Sequence, residues 1–258
     1  MIISSPSSQI VPTSNALESR LRIFQPTQRP TYRENQKIET PWGSARITGR
    51  LGQRHADLAE SIRFCAEKSQ DLAGKLWLLV DPHKLRQKIG EHYSFGQLNV
   101  LKRELMEAVI EYLEDSETEP SVGHLIDNVI LSTVERPDPL SKTQRKLWAF
   151  EIGIPGRKIL FEGIRLYYDP GPIARLKSGI SQAIARHVLT HKHEPSGGWK
   201  LDTLIKSCEG EEIKSQAIRD RRREVKKDEA KLKECGIVLD GDRVHLLKLL
   251  KIVEAEGS

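Results

Sequence analysis

The sequence predicts an α+β protein in which one structural plan occurs twice. Residues 81–114 show a short capped helix, a tight turn and a long amphipathic helix, which is the helix-turn-helix pattern. Strand-like runs separated by Pro and Gly turns follow at 124–169, as in an antiparallel ribbon. Helix, strand, short helix, long helix and hairpin then recur over residues 179–249. A helix-turn-helix followed by a β-ribbon is the winged-helix plan, so we predict two tandem winged-helix domains.

Changes in composition set the predicted domain boundaries. Residues 1–36 are predicted as a flexible N-terminal arm, because Ser, Thr, Pro, Gln and Asn dominate and little apolar surface is available to order them. Residues 37–168 are predicted as an N-terminal winged helix with an extended β-ribbon. Residues 169–258 are predicted as a C-terminal winged helix.

The N-terminal unit begins with two predicted elements. Residues 37–51, KIETPWGSARITGRL, predict a strand or hairpin around a Pro-Trp-Gly turn. Residues 53–68 predict a helix with Leu58, Ile62 and Cys65 inward.

The predicted helix-turn-helix has clear start and stop signals. LWLLVD, residues 76–81, is an apolar run of strand length before it. Asp81 is the expected N-cap of a short helix with Pro82 at its first position, and Gly90 ends it. Ser94 caps a longer helix that is predicted to run over residues 95–114.

The β-ribbon is predicted from four runs of strand-like composition. They are HLIDNVILSTVE at 124–135, RKLWAFEIG at 145–153, RKILFEG at 157–163 and IRLYYD at 164–169.

The C-terminal unit repeats the plan with a more basic second helix. Residues 179–192 predict an amphipathic helix, and residues 200–208 predict a strand start and a short helix capped by Asp202. Residues 214–233 predict one long helix, and residues 236–249 predict a hairpin around an Asp-Gly turn.

The helix predicted at Lys214–Lys233 is the main functional candidate. Ile218, Val225 and Leu232 recur every seven residues and form a narrow apolar stripe. Seven bases and two acids lie between residues 214 and 227, and most of the bases share another face. Such a helix could enter a DNA groove, or it could be a solvated helix crossed by i,i+4 ion pairs.

Overall composition suits a partner that is a polyanion. The formal charge is +5 and the pI is near 9.0. Three dispersed cysteines indicate a reducing compartment, and no signal peptide or membrane span is expected, so we predict a cytoplasmic protein.

Motifs for catalysis or cofactor binding are missing from the sequence. It contains no GxGxxG, GxxxxGK[ST] or GxSxG motif, so we predict no enzyme activity, no catalytic residue and no cofactor. The best metal candidate is His187, His191 and His193, with Cys208 as a possible fourth ligand. The histidines are equally explained by their favourable position at a helix C-terminus, and no metal is predicted.

The chain resembles plasmid replication initiators of the two-winged-helix kind, the group that includes TrfA and RepC. The N-terminal half carries TPWGSARITGRLGQRHADLAESI and LVDPHKLRQKIG…YSFGQLNVLKREL, and the C-terminal half carries IARLKSGISQAIARHVLTHKHEPSGGWKLDTLI and GIVLDGDRVHL. The resemblance covers about residues 37–247 in order, spacing and texture. It implies binding of repeated origin sites (iterons), duplex opening, recruitment of host replication proteins such as a helicase, and inactive homodimers beside active monomers.

The resemblance also assigns DNA-binding residues, on the second helix of each helix-turn-helix. These are Gln216, Arg219, Arg222, Arg223, Lys226 and Lys227 in the C-terminal unit and Ser94, Gln97, Asn99 and Arg103 in the N-terminal unit. The alternatives are a winged-helix transcriptional repressor that binds an operator and a protein-interaction module without a DNA role.

An apolar island interrupts the predicted arm. Leu21, Ile23 and Phe24 are either a docking peptide or a patch folded back on the domain. RLRIF is similar to the sliding-clamp peptide of TrfA-type initiators, but it lacks the leading glutamine and has isoleucine before phenylalanine.

Overall fold

Helices and strands alternate along the chain. The computed structural model describes residues 11–90, 93–114, 117–137 and 144–247. In these ranges the helices are α1 Ala16–Arg20, α2 Gln53–Phe64, α3 Pro82–Ile89, α4 Phe95–Glu107, α5 Ile154–Phe161, α6 Gly171–Ala174, α7 Gly179–Leu189, α8 Leu201–Glu209, α9 Ser215–Lys227 and α10 Glu229–Glu234. The strands are β1 Ser14–Asn15, β2 Arg33–Thr40, β3 Gly43–Gly49, β4 Ala66–Leu72, β5 Lys75–Val80, β6 Val109–Leu113, β7 Ser121–Gly123, β8 Ile126–Pro137, β9 Gln144–Ile152, β10 Arg165–Leu166, β11 Trp199–Lys200, β12 Ile237–Asp240 and β13 Arg243–Leu246.

The strands form antiparallel sheets, and the predicted α+β class is confirmed. The N-terminal unit holds two four-stranded sheets, with orders β2-β3-β6-β7 and β4-β5-β9-β8. The C-terminal unit holds a three-stranded sheet of order β11-β13-β12. The two-stranded pair β1-β10 joins the N-terminal segment to the end of the first unit.

The predicted caps of α3 and α4 are confirmed by their hydrogen bonds. The Asp81 carboxylate accepts from the His83 N–H at 2.9 Å, and α3 ends at Gly90 with φ 142°. The Ser94 hydroxyl accepts from the Gln97 N–H at 3.2 Å, while the Gln97 side chain accepts from the Ser94 N–H at 2.8 Å. These caps fix where α3 ends and α4 begins.

The predicted flexible arm is corrected for its described part. Residues 11–31, here called the strap, pack along the surface of the molecule, and Leu21 and Ile23 are fully buried in the N-terminal core, with Phe24 beside them. Burial of these three apolar side chains and the pairing of β1 with β10 together offset chain entropy that the segment loses on ordering. These side chains are therefore not an accessible docking peptide. Residues 1–10 of the predicted arm lie outside the described residues.

The second helix of the N-terminal unit is shorter than predicted. It ends at Glu107, and residues 109–113 form β6, which pairs with β3. Ile110 and Tyr112 are buried while Val109 is exposed, which is the two-residue period of a strand. Pairing with β3 therefore overrides the helical pattern that the sequence suggests.

Three other segments differ from the prediction. RKILFEG lies mostly in α5, which begins after Gly153 with Pro155 in its first turn and buries Ile159 and Leu160. IRLYYD contributes only the two-residue β10. Helix α2 ends at Phe64, and the residues that follow form β4 rather than a further helical turn.

The long basic helix is broken at Asp228. Helix α9 ends at Lys227 and α10 begins at Glu229. The buried Asp228 carboxylate accepts from the backbone N–H groups of Lys177 at 3.0 Å and Ser178 at 2.8 Å. This distant pair of hydrogen bonds, just before α7, sets the break.

The two units meet through a buried ionic network between α2 and α7. The Arg186 guanidinium donates to Asp57 at 2.6 Å, to Glu60 at 2.9 Å and to Gln53 at 2.7 Å. Tyr168 also donates to Glu60, at 2.5 Å. Burial alone would lower the pKa of Arg186, but Glu60 and Asp57 outweigh it and hold that pKa above its ordinary value.

Arg186→Met is expected to lower the free energy of unfolding by about 3–5 kcal/mol, because it leaves two buried carboxylates without their cation. Urea denaturation measures the change. Arg175→Met is the control, since the exposed pair of Arg175 and Glu234 at 3.4 Å contributes about 0–1 kcal/mol. Equal effects of the two substitutions would contradict the structural role of Arg186.

Candidate nucleic-acid interface

Helix α9 is held by one face and leaves the other faces in solvent. Val225 is fully buried in the C-terminal core and Ile218 packs partly against it. Leu232, the third member of the predicted stripe, is buried from α10. The DNA-contact residues predicted on exposed positions of α9 are indeed exposed: Gln216, Arg219, Arg223, Lys226 and Lys227.

A hydrogen-bonded row organises the first turns of α9. Gln216 donates to Asp220 at 3.2 Å and accepts from Arg219 at 2.8 Å. Arg223 donates to the same Asp220 carboxylate at 3.4 Å. Because the row is exposed, its amide and guanidinium groups are available to exchange these partners for base edges or phosphates.

The row ends in two lysines whose side chains have no partner among the described residues. Lys226 and Lys227 form no ion pair or hydrogen bond through their side chains within the part of the chain that the structure describes. They add positive charge at the C-terminal end of α9.

Arg221 and Arg222, unlike the exposed bases of α9, form ion pairs within the protein. Arg222 forms a two-pronged ion pair with Asp202 of α8, which raises the pKa of the guanidinium through the hydrogen bonds. Asp202, predicted as the cap of the short helix, instead lies inside α8 and holds α9. Arg221 donates to Glu209 at 2.5 Å and to Glu224 at 3.2 Å. Both arginines therefore clamp α9 onto its neighbours.

The predicted contact residues of α4 divide into cap and surface. Ser94 and Gln97 are exposed, but their side chains cap the start of α4. Asn99 and Arg103 are exposed on the helix, and Arg103 lies 3.7 Å from Glu107.

Two other polar side chains of α4, Lys102 and Glu104, contact neighbouring elements of the N-terminal unit. The Lys102 ammonium lies 4.2 Å from the centre of the Trp148 ring, and burial lowers the pKa of Lys102. His55 accepts from the Gly52 N–H through Nδ1 and therefore donates through Nε2 to Glu104, at 2.8 Å. The charge on this helix is nearly balanced, in contrast with α9.

The predicted C-terminal hairpin is confirmed. Asp240 pairs with Arg243, and Gly241 takes φ 61° at the first loop position. The loop is acidic on both sides of the glycine, with Asp240 and Asp242 exposed. The tip therefore offers little attraction to a phosphate backbone, and α9 carries most of the positive potential of the unit.

Basic residues that sequence reasoning missed lie beside the strap. Arg29 of the strap and Lys177 before α7 line one cleft with Lys227 of α9. Arg50 lines a second cleft with Gln97 of α4. No spacing rule could have found them, because they come from separate parts of the chain.

Two of the histidines considered as metal ligands, His187 and His191, make edge-to-face ring contacts. The rings of His187 and His191 lie 5.0 Å apart, and the His191 ring lies 5.5 Å from Trp199. His191 donates from Nδ1 to the His187 carbonyl at 3.0 Å. Across the described ranges, no three His, Cys, Asp or Glu side chains form a group that could hold a metal ion.

Burial lowers the pKa of His187 to about 4, with His191 and Arg20 adding to the effect. As the pH falls from 6.5 to 4, the unfolded chain binds a proton before the folded one does, so stability is lost over that interval. We expect His187→Gln to remove up to about 3 kcal/mol of this acid loss. Urea midpoints at pH 7 and pH 4.5 measure it; His193→Gln, at an exposed position, should retain the wild-type loss.

None of the helices in the described ranges has the length and apolar character that a membrane span needs. No protein-family model matches the sequence. No curated protein matches it either.

Comparison with solved structures shows the fold. A crystal structure of selenomethionine derivatives of domains 2 and 3 of RctB is similar over 90% of this chain and 96% of that chain, with a TM-score of 0.55 and 11% identity. A second crystal structure of RctB domains 2–3 matches 89% and 94% of the two chains, with a TM-score of 0.47 and 8% identity. The chain thus has a fold similar to that of RctB domains 2 and 3.

Proposed function

We propose that this protein binds double-stranded DNA sequence-specifically at repeated origin sites and initiates plasmid replication there. The observation that carries the proposal is that different side chains of α9 attach the helix to the protein and remain exposed to solvent. Its apolar stripe and two arginines fix the helix, and Gln216, Arg219, Arg223 and two lysines remain exposed on it. A fixed helix with exposed amide and guanidinium groups suits the major groove of B-DNA.

The order of elements in the C-terminal unit supports the proposed winged helix. Helix α7, strand β11, helices α8, α9 and the short α10, and the β12-β13 hairpin follow one another, and β13 lies between β11 and β12 in the sheet. In this arrangement α9 is the recognition helix. Arg219 and Arg223 suit bidentate contacts with guanine, and Gln216 suits adenine. Arg222 is withdrawn from the contact set, because Asp202 engages it.

The N-terminal unit contributes a second reading element in the proposal. Asn99 and Arg103 of α4 are its exposed candidates, whereas Ser94 and Gln97 serve first as caps. Because α4 is nearly neutral, we propose that it adds sequence preference while α9 supplies most of the phosphate attraction.

The replication role rests on the resemblance to two-winged-helix initiators, and the RctB-like fold supports the architecture that this role requires. We propose no enzymatic step and no metal or other cofactor. A homodimer and contacts with host replication proteins, such as a helicase, remain part of the proposal. A clamp contact through Leu21, Ile23 and Phe24 does not, because all three are buried.

The combined substitution Arg219→Ala and Arg223→Ala tests the DNA contact. We expect DNA affinity to fall sharply, because the proposed guanine contacts are lost. The slope of log affinity against log salt should shrink in magnitude by about 1–2 units, because two guanidinium groups no longer displace counterions from neighbouring phosphates. Fluorescence anisotropy over a salt series measures both. Arg46→Ala, at an exposed position on β3, is the control and should match the wild type. Unchanged binding by the double variant would refute the groove assignment.

Selection of bound DNA from a random duplex library separates initiator from repressor. We expect the selected sequences to align as direct repeats. On DNA that carries several repeats, the protein should then give a band-shift ladder with one step per repeat. A single palindromic site would favour the alternative, a winged-helix repressor at an operator. Deletion of residues 1–10, which spares the strap, can then be scored for plasmid maintenance without removing the buried Leu21 and Ile23.

A further inference from the structure

Strap residues 26–30 lie between the two helices proposed to read DNA. A first cleft of about 350 Å³ separates the strap from α9 and is lined by Arg29, Lys177 and Lys227. A second cleft of about 240 Å³ separates the strap from α4 and is lined by Arg50 and by Gln97. Gln28 lines both clefts, so the strap forms the ridge between them.

The strap is fixed to both units at this ridge. Thr27 accepts from the Gln53 N–H at 2.9 Å, on the N-terminal side. Gln28 donates to the Leu176 carbonyl at 3.1 Å, on the C-terminal side. A Cβ atom at Gly179 would lie 2.4 Å from the Thr27 Cα, which shows how closely the strap backbone approaches α7. The backbone that carries Arg29 therefore has a defined position between the two helices.

The charges of the first cleft do not cancel. It has four basic side chains and two carboxylates. Both carboxylates are already engaged: Glu224 accepts from Ser178 at 2.9 Å and from Arg221, and Asp228 accepts two backbone N–H groups. Arg221 forms the ion pair with Glu224.

Three cations of the first cleft have no ion-pair partner among the described residues. Arg29, Lys177 and Lys227 are exposed, and their side chains have no ion pair or hydrogen bond among the residues described. Three unpaired cations from three separate segments converge on one cleft. Such convergence costs mutual repulsion, which an anion of the same spacing relieves.

The second cleft has the same imbalance. Arg50 is exposed and unpaired within the described ranges, and Arg54 lies over the Tyr93 ring at 6.0 Å. Glu104, the one carboxylate lining this cleft, accepts from His55 at 2.8 Å. The excess positive charge therefore continues across the ridge, from α9 to the edge of α4.

We propose that Arg29, Lys177, Lys227 and Arg50 form a track for DNA backbone phosphates between the two reading helices. This inference rests on the proposed function. Lys227 follows Arg223 by one helical turn, so the track begins about 6 Å beyond the exposed row of α9. DNA whose grooves receive both helices presents its backbone to the strap. There the four cations neutralise phosphates and displace the counterions condensed on them.

The test compares wild type, Arg29→Ala, Lys177→Ala and the double variant on duplex DNA of the selected repeat and on an unrelated duplex. Each single substitution should reduce the salt slope by about 0.9, and the double variant by about 1.8. Affinity of the double variant should fall about tenfold on both duplexes, because phosphate contacts carry no base information. Arg46→Ala is the matched control, and urea denaturation should show unchanged stability for all variants.

The outcomes distinguish the track from the proposed function. A wild-type salt slope in the double variant, together with a reduced slope for the Arg219→Ala and Arg223→Ala protein, refutes the track and keeps DNA binding. A loss confined to the repeat duplex also refutes it, because that result assigns the residues to base reading. If the wild type binds neither duplex, the proposed function and the track both fail.

Discussion

Arg186 is the contact on which the arrangement of the two units depends. It lies on α7 of the second unit and donates to Asp57 and Glu60 on α2 of the first. An apolar contact between helices tolerates small sliding, whereas a buried guanidinium that loses its carboxylates costs about 3–5 kcal/mol. The ionic geometry therefore selects one relative position of helices α2 and α7. Glu18 and Arg63, paired at 2.7 Å, extend the buried charges toward the strap.

A fixed relation between the units has a consequence for binding. When two contact elements belong to one rigid body, the second contact forms without a further loss of translational and rotational freedom. In the proposed DNA complex, the spacing between α4 and α9 would be part of the sequence preference, because only a site with matching separation engages both helices. The strap strengthens this coupling, since the Gln53 N–H binds the Thr27 carbonyl on one side and the Leu176 carbonyl binds the Gln28 side chain on the other.

Local signals in the sequence predicted local structure well. Asp81, Pro82 and Gly90 define α3 with groups that lie within or next to the helix, and the Asp-Gly hairpin needs only its own turn. The errors have distant causes. Pairing with β3 converts residues 109–113 to strand, and hydrogen bonds to Lys177 and Ser178 hold Asp228 at the helix break.

The same distinction applies to the candidate interface. The helical period correctly placed most bases of α9 on exposed positions, because it depends only on neighbouring residues. It could not show that Asp202 forms an ion pair with Arg222, or that the strap places Arg29 in the same cleft as Lys227. A run of bases in a sequence gives the number of cations. Only the folded chain determines which of them stay unpaired, and the unpaired cations are the ones available to a polyanionic partner.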